Sequence, residues 1–150
     1  MFGRSIGSGP ASFLGGTFNP GALCLMSPYT SIRSVAGDMV GWLRFLVAER
    51  FNNLEMIQKT TCPTFILHGT VDEVIAVHHG RTLRDNSKAE PLVYLEPRHM
   101  SHNDFRMRED LMHPMKNFLA KAEIETATRG GSVSFKTGNK KSPFERTGPA

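Results

Sequence analysis

Three short, almost wholly apolar runs stand out along the chain, at residues 22–26, 63–67 and 91–95. Residues that favour turns bound them, such as the Ser27-Pro28 pair after the first run. Continuous apolar runs of this length are typical of strands that are buried on both faces of a parallel sheet. The pattern therefore predicts three parallel strands.

The segments around these runs have helical character. We predict helices over residues 8–16, 34–50, 77–83 and from 114 onward, with one or two helical turns at 104–110. In the last helix, Met115, Phe118, Leu119 and Ala122 stand at i, i+3, i+4 and i+7, which is the spacing of one apolar helix face. Strands that alternate with helices indicate an α/β fold, a mostly parallel sheet with flanking helices.

The chain does not begin like a complete domain of this class. The pattern shows no strand before Gly3, and three strands are fewer than a parallel sheet usually has. Beyond Thr126, Gly, Ser, Lys and Pro dominate, a composition typical of disorder. We therefore expect residues 1–125 to be the C-terminal part of a domain whose N-terminal strands are missing, and residues 126–150 to be a disordered basic tail.

Charge and composition exclude several classes of protein. The chain has 18 basic and 14 acidic residues, but six of the former and three of the latter lie in residues 121–150. The rest is nearly neutral and lacks the clustered basic surface that nucleic-acid binding requires. No apolar run approaches the roughly 20 residues that span a bilayer. The cysteines, Cys24 and Cys62, fall in apolar surroundings, as expected of core residues in a reducing, cytoplasmic compartment.

A glycine–serine motif near the start carries the first candidate for chemistry. Residues 3–7 read Gly-Arg-Ser-Ile-Gly and match G-x-S-x-G. In this motif the serine occupies a sharp turn between a strand and a helix, so that its hydroxyl is exposed at the edge of a sheet. Ser5 is therefore either a nucleophile or an idle serine in a glycine-rich loop.

Acidic residues follow the second predicted strand. Ligands and catalytic groups gather at the carboxyl ends of parallel strands, and Asp72 and Glu73 lie on the loop that leaves such an end. A carboxylate at this point can orient an imidazole and stabilise its charged form. Asp72 is the candidate, Glu73 is its alternative, and a simple role in a turn is the other interpretation.

Two histidines, His99 and His102, follow the third predicted strand. A histidine on this loop can reach both earlier candidates and act as a general base. We favour His102, which lies just before a helix that Asn103 or Asp104 would cap, and keep His99 as the competitor.

Three of the remaining histidines, His68, His78 and His79, are interpreted as structural or solvent-facing. They show neither the helical pair spacing nor the C-x-x-C pattern of metal ligands. We predict no metal and no cofactor.

Taken together, the candidates occur in the order Ser, Asp, His, each where a strand of this fold class would end, although the pattern shows only the strands before Asp72 and His102. This is the chain order of the α/β-hydrolases with a nucleophile elbow, and differs from the orders in chymotrypsin and subtilisin. The combination predicts a serine hydrolase.

Four stretches carry a more specific likeness: residues 3–11, the Ser27-Pro28 pair, residues 63–75 with His-Gly-Thr-x-Asp-Glu-Val-Ile, and residues 102–104. In combination they resemble the α/β-hydrolase-domain proteins of the Bem46-like group, and most of all the protein depalmitoylases among them, which remove palmitate from cysteine thioesters. The likeness extends over roughly residues 3–120. One departure is His99-Met100-Ser101, where the family usually has Gly-x-Gly before its base.

This resemblance implies Ser5 as nucleophile, Asp72 as acid and His102 as base, with the backbone N–H of Ile6 as half of the oxyanion hole. It also implies that several strands, the second oxyanion donor and part of the acyl pocket are missing before Met1. A cysteine cluster that attaches depalmitoylases to membranes would be missing with them. We therefore expect the chain by itself to be poorly soluble and weakly active or inactive.

The predicted function is that of a serine hydrolase acting on ester or thioester bonds, with an acyl ester, an acyl thioester or a lipidated protein as substrate. Two alternatives remain. One is a serine peptidase, since the same triad serves both reactions. The other is a truncated, non-catalytic protein that adds its open sheet edge to a partner.

Overall fold

A computed structural model describes residues 1–40 and 51–129 of the chain, with side chains at 1–38 and 51–123. Its strands are β1 (Phe2–Arg4), β2 (Leu23–Met26), β3 (Thr64–Leu67) and β4 (Leu92–Leu95). Its helices are α1 (Ser8–Phe18), α2 (Ile32–Val40), α3 (Asn53–Lys59), α4 (His78–Asn86) and α5 (His113–Arg129). A 3-10 turn, Ser5–Gly7, precedes α1, and a π-helical turn, Met107–Met112, precedes α5.

The four strands form one parallel sheet in the order β1-β2-β3-β4. The register places Gly3, Leu25, Ile66 and Tyr94 in one row across it. Both central strands, β2 and β3, are buried along their whole length, as their solid apolar runs predict. The parallel sheet with flanking helices confirms the predicted fold class.

Side chains from opposite faces of the sheet enter two separate cores. Alternate residues of a strand point to opposite faces, so neighbours such as Leu25 and Met26 pack in different cores. One core holds Cys24, Met26, Phe65, Leu67, Met100, Leu111, Phe118 and Ala122, and the other Ala11, Leu23, Leu25, Ile57, Cys62, Ile66 and Leu83. Both faces of the sheet are therefore covered by helices.

Both cysteines are buried free thiols. Burial raises the pKa of Cys24 to about 11, so this thiol stays protonated at neutral pH. The cysteines thus act as core residues.

The prediction that no strand precedes the glycine–serine motif is wrong. Phe2–Arg4 forms β1 and pairs with residues 24–26 of β2. The pattern did not reveal this strand because it is three residues long and its one apolar side chain, Phe2, is half exposed. The motif therefore follows directly from a strand, as a nucleophile elbow requires.

The helix predicted over 104–110 is also corrected. Its regular turns begin at Met107, so neither Asn103 nor Asp104 caps it. Residues 101–104 form a turn instead, in which the Asp104 backbone N–H donates to the Ser101 hydroxyl at 3.0 Å. The Ser101 N–H in return donates to the Asp104 carbonyl at 3.0 Å. Local bonds of this kind compete with helix formation.

Other helices also differ from the predictions. Helix α3 was not predicted, because only Ile57 is a fully buried apolar residue in its seven positions. The first part of the helix predicted over 34–50 is α2, and residues 41–50 lie outside the described part of the chain. Helix α5 runs on to Arg129, past the predicted boundary at 125. Residues 130–150 of the predicted tail lie outside the described residues.

None of the helices described here has both the length and the apolar character needed to cross a membrane.

Candidate active site

Three candidate side chains meet at the carboxyl edge of the sheet. Ser5 follows β1, Asp72 lies on the loop after β3, and His102 lies on the loop after β4. The His102 Nε2 atom is 2.9 Å from the Ser5 Oγ atom. Its Nδ1 atom is 2.9 Å and 3.0 Å from the two carboxylate oxygens of Asp72. The structure therefore brings together Ser5, His102 and Asp72 in one hydrogen-bonded line.

Ser5 has an unusual backbone conformation. Its φ angle is 51°, in the left-handed region that costs a non-glycine residue roughly 1–2 kcal/mol. The Ser8 hydroxyl donates a hydrogen bond of 2.7 Å to the Ser5 carbonyl, which fixes this turn. Strained residues of this kind are found where a side chain must be presented in one direction, and here the direction is toward His102.

The two glycines of the motif have different roles. A Cβ atom on Gly3 would lie 2.5 Å from both the Ala11 Cβ atom and the Gly7 carbonyl oxygen, whereas a Cβ atom on Gly7 would meet nothing within 4 Å. Only Gly3 is therefore required by close packing, between β1 and the turn and helix that follow it.

The beginning of the helical segment after Ser5 presents backbone N–H groups. The first N–H groups of a helix have no acceptor within the helix, and this end carries a partial positive charge. The Ile6 side chain is 69% exposed, so solvent and ligands reach this turn. An oxygen that develops negative charge beside Ser5 can be stabilised here.

Asp72 is buried, yet it is held as a carboxylate. Burial acts to raise its pKa, but the N–H of Ile75 and the imidazole of His102 outweigh that effect, so the pKa of Asp72 lies below its ordinary value. The Ile75 and Val74 N–H groups donate to its Oδ1 atom at 2.8 Å and 3.0 Å. Both donors are uncharged backbone amides of the same loop. These two hydrogen bonds therefore stabilise the negative charge of Asp72 without a cation.

His68 lies beneath this loop at the end of β3. Its Nε2–H donates to the Ile75 carbonyl at 2.8 Å and is 3.6 Å from Asp72 Oδ2. Burial lowers the pKa of His68, so the ring is neutral at neutral pH. A Cβ atom on Gly80 would lie 2.6 Å from the His68 Nδ1 atom, so helix α4 packs closely against the ring at this glycine. His68 is therefore a structural support of the Asp72 loop, as predicted.

Glu73 and His99, the alternatives that the sequence left open, are not part of the hydrogen-bonded line of Ser5, His102 and Asp72. Glu73 accepts a hydrogen bond of 3.3 Å from the His102 backbone N–H and so supports the loop rather than the imidazole. The His99 Nε2 atom pairs with Asp110 at 2.8 Å, and 47% of the His99 side chain is exposed. The geometry therefore favours Asp72 and His102 over Glu73 and His99.

Arg4 is a site residue that sequence reasoning missed. Its guanidinium donates to the His102 carbonyl at 2.6 Å and to Asn103 Oδ1 at 2.9 Å. It also lies over the Phe105 ring, 5.5 Å from the centroid. Arg4 occupies a variable position of the G-x-S-x-G motif, so only its place beside the serine could have suggested a role. It ties the end of β1 to the histidine loop.

An apolar groove of about 280 Å³ opens at the serine. It is lined by Ser5, Ile6, Tyr29, Ile32, Val35, Ala36, Val74 and Ile75. An apolar cavity beside a few polar groups is the usual form of a site for small organic molecules. The groove can therefore hold an apolar chain next to the Ser5 hydroxyl.

No protein-family model matches the chain. Among curated proteins it is similar to the alpha/beta hydrolase domain-containing protein 17B of Homo sapiens, at 32% identity over 120 residues, which are 80% of this chain and 41% of that protein. It is also similar to the alpha/beta hydrolase domain-containing protein aho-3 of Caenorhabditis elegans, at 30% identity over 79% of this chain and 35% of that protein. The chain thus spans about two fifths of the length of these relatives.

Solved structures show the same likeness at lower identity. One is a structure of the metagenome-derived lipolytic enzymes LipS and LipT, with a TM-score of 0.63 and 13% identity over 81% of this chain and 64% of that chain. Another is a cold-adapted esterase from an Arctic intertidal metagenomic library, with a TM-score of 0.56 and 15% identity over 79% and 44% of the two chains. At these identities the similarity concerns the fold alone.

Proposed function

This chain has the fold of an α/β-hydrolase domain, and from that premise we propose that the protein is a serine hydrolase that cleaves acyl esters or thioesters. Its catalytic residues are Ser5, His102 and Asp72. One observation carries the proposal: both nitrogens of His102 are engaged at hydrogen-bond distance, one with Ser5 Oγ at 2.9 Å and the other with Asp72 at 2.9 Å.

In the first half-reaction Ser5 Oγ attacks the acyl carbonyl carbon while His102 Nε2 takes the hydroxyl proton. The Asp72 carboxylate stabilises the imidazolium that forms. The tetrahedral intermediate then collapses, the bond to the leaving alcohol or thiol breaks, and His102 returns the proton to that leaving group. The product is an acyl ester on Ser5, which water cleaves when His102 acts again as the base.

The oxygen of the tetrahedral intermediate needs hydrogen-bond donors. The Ile6 backbone N–H lies in the 3-10 turn Ser5–Gly7, directly after the nucleophile, and is our candidate for one of them. A single donor of this kind contributes roughly 10²- to 10³-fold to turnover.

The groove at Ser5 favours an apolar acyl group. Its walls are mostly aliphatic, and Ile32, Val35 and Ala36 of α2 form one side. Together with the sequence resemblance to depalmitoylases, this supports a long-chain acyl thioester on a protein cysteine as the substrate. We also propose a cytoplasmic location for the protein, with its substrate at a membrane surface.

A fluorophosphonate probe tests the proposal, because it reacts covalently with an activated serine. We expect the chain to be labelled, weakly when it is tested alone, Ser5→Ala to lose all labelling, and Ser87→Ala, at the end of α4, to label like the original chain. Labelling that persists in Ser5→Ala, or a folded protein that does not label at all, would contradict the proposal.

Substrate class is tested separately with matched acyl thioester, ester and peptide substrates. We expect long-chain acyl thioesters and esters to be cleaved and peptides to be left intact. Faster cleavage of the peptide would identify a peptidase instead.

A further inference from the structure

A second cluster of histidines and a carboxylate takes no part in the proposed hydrolysis. Asp38 lies on α2, and His78 and His79 open α4. One potential ligand atom from each residue, a carboxylate oxygen or a ring nitrogen, lies within 4.8 Å of the other two. Among the described residues, no other three histidine, cysteine or acidic side chains bring potential ligand atoms this close together.

The distances suit a tetrahedral metal ion. The Asp38 Oδ2 atom is 3.0 Å from His79 Nε2 and 3.3 Å from His78 Nε2. Bonds of 2.0–2.2 Å from Zn²⁺ to nitrogen and oxygen place neighbouring ligand atoms about 3.3 Å apart in a tetrahedron. Two of the three edges therefore have nearly the required length. The rings of His78 and His79 are stacked, with centroids 4.3 Å apart.

His79 is buried, and only 1% of its side chain is exposed. Its Nδ1 atom accepts a hydrogen bond of 3.3 Å from the Thr30 backbone N–H, while its Nε2–H donates to Asp38 at 3.0 Å. A metal on Nε2 replaces that proton and requires the other tautomer, in which Nδ1–H donates to the Thr30 hydroxyl, 2.9 Å away. A partner on the second ring nitrogen fixes the tautomer and orientation of a ligand histidine.

The other two ligands face solvent. The exposed fractions of the Asp38 and His78 side chains are 42% and 55%, so an ion can enter and keep water in a fourth position. Two imidazoles and one carboxylate suit zinc and related transition metals, whereas calcium and magnesium prefer oxygen ligands.

We propose that Asp38, His78 and His79 form a binding site for one divalent transition-metal ion of the zinc class. The ion joins α2 to α4. Because α2 also supplies Ile32, Val35 and Ala36 to the groove at Ser5, an occupied site stabilises one wall of that groove. Sequence spacing predicts no metal here, because the ligands come from two helices 40 residues apart and leave no recognisable pattern.

Equilibrium dialysis of the purified protein against Zn²⁺, with Co²⁺ absorption spectra as a second readout, tests the site. We expect one equivalent of Zn²⁺, a tetrahedral Co²⁺ spectrum and a higher melting temperature with Zn²⁺. Asp38→Asn and His78→Ala should each weaken the affinity at least tenfold and abolish the thermal shift. His113→Ala, which removes an exposed histidine outside the cluster, should bind like the original chain.

Unchanged affinity in both Asp38→Asn and His78→Ala, or less than one equivalent bound by the original chain, overturns the proposal. Loss of binding in His102→Ala but not in His78→Ala overturns it as well, because the ion would then lie at the candidate active site. Both replaced ligands are partly exposed, so the variants should fold, which circular dichroism checks. If one of them does not fold, the other decides. Ser5→Ala should bind Zn²⁺ normally, so this test is independent of the proposed hydrolysis.

Discussion

His99 and His102 lie on the same loop, and each pairs with an aspartate at nearly the same distance. The separation is 2.8 Å between His99 and Asp110 and 2.9 Å between His102 and Asp72. What differs is the other side of each ring. His102 meets Ser5 there, in a largely buried position, whereas half of the His99 side chain faces solvent. A histidine–aspartate pair is therefore a common structural device, and only the partner of the second nitrogen gives it catalytic potential.

The two aspartates differ in how their charge is stabilised. Asp110 accepts bonds from His99 and from both the backbone N–H and the guanidinium of Arg106, at 2.8 Å and 3.1 Å for the latter two. Its charge is thus shared with the cationic side chain of Arg106. Asp72 is held by the amides of its own loop. Neutral donors keep Asp72 ionised and leave its charge available to the imidazole of His102.

The largest expected effect separates the two histidines. His102→Ala removes the proposed base and should lower kcat for a soluble acyl thioester by roughly 10⁵-fold or more. His99→Ala should leave kcat within about threefold, since surface changes of this kind have small effects. Steady-state kinetics on both variants measures the difference. Equal losses in the two variants, or a larger loss in His99→Ala, would reverse the assignment of the base.

Their aspartates provide the next test. Asp72→Asn keeps the shape of the side chain but favours the wrong tautomer of His102, so kcat should fall roughly 10⁴-fold. Asp110→Asn changes the same atom in the other pair. The described hydrogen bonds of Asp110 go to His99 and Arg106, so kcat of the folded variant should change by no more than about threefold. Melting temperatures of both variants control for unfolding. An Asp72→Asn enzyme with nearly full activity would exclude Asp72 from the mechanism.

The sequence predicted the parts of this molecule that have strong local signals. The central strands β2 and β3 are solid apolar runs, and the residues at the strand ends that meet in the candidate site are of chemically distinctive types. Neighbouring parallel strands end at the same edge of a sheet, so chain order alone indicated that Ser5, Asp72 and His102 would come close together. Their catalytic roles stay predictions.

The features that sequence reasoning missed depend on contacts that leave no local pattern. Strand β1 is defined by its pairing with β2 and has one apolar side chain, which is half exposed. Arg4 acts across 98 positions of the chain, on the carbonyl of His102. Such interactions depend on where distant segments meet, and periodicity and spacing carry no information about that.

A substitution at Gly69 should have an effect of intermediate size, because Gly69 packs against the loop that carries His99 and His102. A Cβ atom at this position would overlap the Met100 carbonyl, between His99 and His102. Gly69→Ala should therefore destabilise the protein by about 1–3 kcal/mol and reduce kcat up to about 10²-fold by displacing the base. Urea unfolding and kinetics measure both quantities. Gly21→Ala, where a Cβ atom meets nothing within 4 Å, should change stability by less than about 0.5 kcal/mol, and an equal effect of the two substitutions would contradict this interpretation.

Arg4 gives the smallest expected effect and tests whether the position of His102 is actively maintained. Its guanidinium bonds to His102 and Asn103 but not to His99 among the described contacts. Arg4→Gln should lower kcat roughly five- to tenfold, as expected for the loss of one hydrogen bond of ordinary strength, with little change in KM or melting temperature. Arg98→Gln, an exposed arginine on the same loop, should have no effect, and Arg4→Lys should restore part of the rate. A matching fall in melting temperature would make Arg4 a structural residue, because a positioning residue changes the rate of a protein that remains folded.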